Sequence, residues 1–221
     1  MLPIKDHPSS GKFPVVTSII FALTVIVFLG ELFAPNVHSF LYQWGLVPSR
    51  VTAFQFRELV PFLTSVFLHG GFLHLIFNLW YLAIFADNVE ATLGHFWFAI
   101  FYVSGGITAN IIQFLFLRHE NIPIIGASGA IAAVLGFYLV LFPHHTVRTL
   151  IPISTHLSTI DLPAQLVLGS WFLTQLFNGT ADLAVNTAAT SGIAWWAHIG
   201  GFLFGLLIAA LFNLLSTKRH E

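Results

Sequence analysis

The chain of 221 residues contains no cysteine. That excludes disulfides, thiol nucleophiles, iron–sulfur clusters and Cys-ligated zinc together. Charge is nearly as scarce: Asp, Glu, Lys and Arg make up 8% of the residues, against about 25% in an ordinary soluble domain. Seventeen charged side chains, eight basic and nine acidic, cannot cover the surface of a water-soluble fold of this size. The net charge of −1 and a pI near 6.8 leave no basic field to hold nucleic acid. Internal repeats, low-complexity runs and composition shifts that would mark a second domain are also missing.

Apolar residues fill the space left by charge. They account for 57% of the chain, with 24 Phe and 6 Trp, and the mean hydropathy is +0.85. About 20 apolar residues cross a bilayer as a helix. Six segments reach or approach that length: 13–34, 71–89, 95–117, 127–142, 163–178 and 193–215. The fold class predicted is therefore an all-α polytopic membrane protein of six transmembrane helices. Its membrane domain is expected over 13–215, between a short cytoplasmic N-terminal segment, 1–12, and a cytoplasmic tail, 216–221. The opening MLPIKDHPSSGK is too polar for a signal peptide, so the first span is expected to be retained. The fourth span is short and is expected to begin below the membrane surface. The stretch 35–70 carries Phe40, Tyr42, Trp44, Phe54 and Phe56 and reads as a loop lying in the interface.

The positive-inside rule orients the bundle. With the N-terminus inside, the inner side collects Lys5, Lys12, Arg148, Lys218 and Arg219, and the outer side Arg50, Arg57 and Arg118. Both termini are then cytoplasmic. Spans two, four and six run from outside to inside, and the polar residues of the membrane domain lie in their early turns. Ionisable and strongly polar groups within a span raise a functional hypothesis. Span two begins HGGFLHLIFN, with His69, His74 and Asn78; span four begins GASGA around Ser128; span six carries WWAHIGGFLFG with His198. At about 1.5 Å per residue these groups reach a common depth. Ser128, Ala132 and Gly136 form a small-residue stripe, as do Ala197, Gly201, Gly205 and Ala209. Such stripes let helices approach closely, and if these two meet, Ser128 comes opposite His198.

A serine hydroxyl becomes a nucleophile when a base takes its proton, and histidine is the usual base near neutral pH. The backbone N–H groups of Ser128 and Gly129 at a helix start favour developing negative charge, and Asn78 and His74 carry further donors suited to an oxyanion. None of the nine carboxylates falls in the outer half of an even-numbered span, so the constellation is a Ser–His dyad with no third member in view. Each residue also has a bland reading. A lone buried His is more often structural, a transmembrane Ser bonds its own i−4 carbonyl, Asn78 ties helices together, and GxxxG packs them. His69 reads as structural, and His144 and His145 as interfacial at the inner end of span four. Joint occurrence at one depth favours the chemical reading.

GASGA at Ser128, HGGFLHLIFN in span two and AHIGGFLFG in span six resemble the rhomboid family of intramembrane serine proteases, over about residues 45–210. DNVEATLG at 87–94 is similar to the family segment after span two, where the acidic residue and Gly94 are structural. The resemblance implies a rhomboid-like bundle with Ser128 as nucleophile and His198 as general base. It implies Asn78, His74 and Gly129 at the oxyanion, with Gly126, His69, Gly201 and Gly205 in support. It also implies cleavage of single-pass membrane proteins within or beside their transmembrane helix, without metal or other cofactor. The expected partners are transmembrane substrates and the lipid bilayer, with span five as lateral gate and 179–192 as cap. Two positions depart from the family pattern: Ala132 stands where some members place a Tyr stacked on the base, and Phe56-Arg57 where a Trp-Arg pair is common. The compact form suggests a prokaryotic plasma membrane. Competing readings are a haem or other redox protein using His74 and His198, a transporter or channel, and a non-catalytic rhomboid-like chaperone.

Overall fold

The structure, a computed structural model, describes residues 1–153, 156–185 and 192–217. The six apolar segments form six helices: α1 (Val15–Leu32), α5 (Phe72–Leu93), α6 (His95–Phe116), α7 (Ser128–Leu141), α8 (Ala164–Val185) and α9 (Trp195–Thr217). Three short helices, α2 (Val37–Trp44), α3 (Phe56–Leu59) and α4 (Pro61–Thr64), build the connection between α1 and α5. Among the described residues α1, α5, α6 and α9 are long and apolar enough to cross a membrane by themselves. α8 has 22 residues but carries Gln165, Thr174, Gln175, Asn178 and Asp182, so it is more polar than those four. The chain is a polytopic helical membrane protein.

α7 is the axis of the bundle. It has 14 residues, about 21 Å at about 1.5 Å per residue, short of a hydrocarbon core of roughly 30 Å. From Gly129 to Tyr138 every residue is buried, as a helix apolar all round should be. α5, α6, α8 and α9 all pack on it. The α7–α9 contact is close because both partners are small. A Cβ on Gly201 would collide with the carbonyl of Gly129, one on Gly205 with that of Ala133, and one on Gly136 with that of Phe202. The Gly129–Gly201 and Ala133–Gly205 pairings advance together along both helices, so the two run parallel, and the expected stripes do meet, with Gly201 against Ala132.

One element was not expected from the apolar pattern: an antiparallel sheet of strands β1 (Leu2–His7), β2 (Thr146–Ile153) and β3 (His156–Pro163), in the order β1-β2-β3. It covers the end of the bundle at which α7 finishes. The segment 1–12, expected as a short cytoplasmic N-terminal segment, contains a strand that pairs Lys5 with Arg148 and His7 with Thr146. Buried Asp6 fixes this strand to the helices, accepting hydrogen bonds from Nδ2 of Asn88 on α5 and the hydroxyl of Tyr138 on α7, both at 2.8 Å. Nearby, Glu90 of α5 caps the start of α1. Its carboxylate accepts the N–H groups of Val16 and Thr17 and the Thr17 hydroxyl, satisfying donors that a helix start leaves open. Gly94, at φ +79°, makes the turn into α6.

At the opposite end the connection 45–70 lies over the helix starts. Buried Asn110 of α6 donates to the carbonyl of Phe62 and to Oγ of Ser65, and Leu46 bridges to Ile124. As expected of an interfacial loop, α2 buries no residue and Phe54 and Phe56 are exposed.

Candidate active site

Three helices and one loop bring the sequence-selected residues to the N-terminal end of α7. Ser128 is the first residue of that helix. Gly126 sets it there, with φ +122°, a conformation L side chains avoid, and with its N–H donated to the carbonyl of Ser65 at 2.9 Å. A Cβ at Gly126 would lie 2.6 Å from Nε2 of His74 and 3.8 Å from Nδ2 of Asn78. Both α5 side chains therefore face the backbone just ahead of Ser128. Nδ2 of Asn78 is buried without a hydrogen-bond partner among the described residues. The first N–H groups of α7, those of Ser128 and Gly129, precede the helix's own bonding, since Ile131 is the residue that donates to Ala127.

His198, on the first turn of α9, lies across from Ser128 with Nε2 2.8 Å from Oγ. The start of α9 is itself pinned, because Oε1 of Gln113 on α6 accepts the N–H of Ala197 at 2.8 Å. The dyad, His74 and Asn78 all line one cavity of about 980 Å³, which also takes in Gln113 and Trp171. His69 lines no part of it. Its backbone N–H donates to Glu31 of α1 at 3.0 Å, its Nδ1 lies 3.3 Å from the Phe67 carbonyl, and its ring meets that of His74 edge-on at 5.0 Å. It occupies a backing position. Gly201 and Gly205 lie in the α7–α9 seam, away from the cavity.

Two polar side chains escaped the sequence reading. Gln113 is one. The other is Gln175 of α8, 5% exposed, whose Oε1 lies 2.8 Å from Nδ1 of His198. The signal for both was present, since each is a strongly polar group within a predicted span, the criterion that selected Asn78 and His74. Aromatic cover also comes from α8: the ring of Trp171 lies 5.8 Å from that of His198 at 35°. The stretch expected as a cap, 179–192, is helical through Val185, and 186–191 lie outside the described residues. Elsewhere on α8, Phe172 stacks on Phe202 of α9 with centroids 4.4 Å apart.

Comparison with known proteins finds relatives of one family. Residues 56–214 match the family model for the Rhomboid domain. The rhomboid-type protein YdcA of Bacillus subtilis (strain 168) is 33% identical over 127 residues, 58% of this chain and 62% of its own. Rhomboid protease GluP of the same organism is 33% identical over 152 residues, 69% of this chain and 26% of its own. Rhomboid protein 1, mitochondrial, of Saccharomyces cerevisiae is 24% identical over 223 residues, 98% of this chain and 57% of its own. The chain thus spans less than two thirds of each relative's length.

Proposed function

This chain belongs to the rhomboid family, and from that premise we propose that it is an intramembrane serine endopeptidase acting on single-pass membrane proteins. The observation that carries the reading is the 2.8 Å approach of His198 Nε2 to Ser128 Oγ inside a cavity set within an apolar bundle. In this mechanism Ser128 donates its proton to Nε2 as Oγ attacks the scissile carbonyl. The resulting oxyanion is held by Nδ2 of Asn78, by His74 and by the N–H groups of Ser128 and Gly129. His198 then passes the proton to the departing amine, and water, activated by the same base, releases the acyl enzyme. Unpaired donors such as Nδ2 of Asn78 are costly in a folded protein, and a role in the reaction accounts for this one.

Ligation of haem by His198 fits poorly, because both its ring nitrogens are already engaged, by Ser128 and Gln175. A substrate helix enters beside α8, whose outward Leu166, Leu173 and Phe177 are exposed and whose hold on α9 includes the Phe172–Phe202 stack. The end bearing the sheet faces the cytoplasm in this reading, since Lys5, Lys12 and Arg148 gather there.

Fluorophosphonate labelling of the purified protein in detergent tests the dyad. Wild type is expected to label, and Ser128→Ala and His198→Ala are not; a transmembrane substrate should be cut by wild type alone. Equal labelling of all three proteins places the reactive group elsewhere. A correctly folded wild type that neither labels nor cleaves supports a non-catalytic rhomboid-like role.

A further inference from the structure

The sequence presents a base with nothing to orient it: no carboxylate reaches His198, and Ala132 offers no ring. The structure supplies an amide. We propose that Gln175 is a positioning residue, whose side-chain carbonyl accepts the Nδ1–H of His198 and thereby presents the Nε2 lone pair to Ser128. The inference rests on the Ser128–His198 reading above and adds a third member from α8.

The direction of the hydrogen bonds decides which end of the amide meets the imidazole. Nε2 of Gln175 lies 3.0 Å from the backbone carbonyl of Trp171, which only accepts. It also lies 3.0 Å from Oγ1 of Thr174, whose own proton goes to the same Trp171 carbonyl at 2.6 Å, leaving its lone pairs to accept. Both amide protons are thus used within α8, and Oε1 is left for His198 at 2.8 Å. With the amide turned over, two carbonyls would face each other at Trp171. The NH2 group would then meet Nδ1 and require the proton on Nε2, the tautomer unable to take the proton of Ser128. The arrangement observed is a chain running one way, from Ser128 through His198 and Gln175 to the backbone of α8. Trp171, one turn before Gln175, covers the imidazole from the same helix.

A neutral amide fixes tautomer and orientation without adding a charge, which suits a site walled by apolar side chains, where a buried carboxylate would be costly. The bland account is that Gln175 merely ties α8 to α9. The two accounts differ in what a carboxylate at this position would do to the base. His74, across the cleft on α5, is the titratable group that faces His198.

The test uses the full chain in liposomes and a transmembrane substrate cut by wild type and left intact by Ser128→Ala, which secures the reading of the site independently. Gln175→Leu keeps bulk and removes the acceptor; kcat is expected to fall at least about tenfold with KM altered less than about twofold. Gln175→Glu restores an acceptor and is expected to recover most of that loss. It should also displace the acid limb of the kcat–pH profile to higher pH, because an anion beside Nδ1 makes the imidazole hold its proton more tightly. Wild-type kcat in a folded Gln175→Leu protein overturns the proposal. If that variant does not fold, Gln175→Glu decides alone: a profile superimposed on that of wild type overturns the proposal, and a displaced one upholds it.

Discussion

The two ends of α7 face opposite demands. At its start, buried polar atoms stand without partners among the described residues: Nδ2 of Asn78, Nε2 of His69 and Oε2 of Glu31 surround or back an open cavity. Beyond its far end Asp6 and Glu90 are each held by several donors, although Oδ1 of Asp87 there is also unmet among the described residues. Asp6 takes hydrogen bonds from Asn88 and Tyr138, and Glu90 takes three from the first turn of α1. An unmet buried donor costs about 1–3 kcal/mol, so the first end holds groups ready at the expense of stability while the second secures the helices. A bonded group can serve either role, as Ser128 and His198 show, whereas an unbonded donor beside a cavity calls for an account other than packing.

Substitutions at the two ends should separate along that line. The largest effect is expected at Asn78. Asn78→Ala should slow cleavage about 10²–10³-fold, the usual cost of one oxyanion donor, with the melting temperature held or raised because an unmet donor is gone. A comparable rate loss accompanied by a clear drop in melting temperature would make Asn78 structural and erase the contrast. Next comes Tyr138→Phe. It removes one of the two side-chain hydrogen bonds on Asp6 and should cost about 1–3 kcal/mol of stability, read by denaturation in mild detergent, with the cleavage rate of the folded enzyme unchanged.

The smallest effect is a slope. Burial raises the Asp6 carboxyl above its ordinary range, against the lowering effect of its bond from Tyr138. The folded chain therefore binds this proton more tightly than the unfolded chain does. The contribution is full below the unfolded value of about 4 and fades as pH rises through the native one. Asp6→Asn should flatten the corresponding fall in melting temperature between acid and neutral pH. An unchanged slope would show that another group carries it.

Much of the site was legible in the sequence because membrane chains make polarity rare. His74, Asn78, Ser128 and His198 stood out against apolar neighbours, and their depth followed from helical rise. The α7–α9 seam was legible for the same reason, since small residues at every fourth position have few other uses in a span. Gln175 satisfied the same criterion and was passed over because its partner lies on another helix, 23 residues away, and a side-chain hydrogen bond between helices leaves no periodic trace. The sheet was hidden by a different cause. Burial alternates in β2 at Val147 and Thr149, but β1 pairs with it from the far end of the sequence, and search by hydropathy passes over short strands of mixed polarity. The basic residues that oriented the bundle, Lys5 and Arg148, prove to be cross-strand neighbours.

That pairing sets an order of assembly. β1 leaves the ribosome before the helices, yet its partner β2 follows about 140 residues later, on the order of ten seconds at about 5–20 residues per second. Throughout that interval the strand's backbone has no ladder to join, and Asp6 has no Tyr138. α1, α5, α6 and α7 are made before the sheet can close. β1 is thus fastened after the helices that follow it, a clasp drawn across elements already in place.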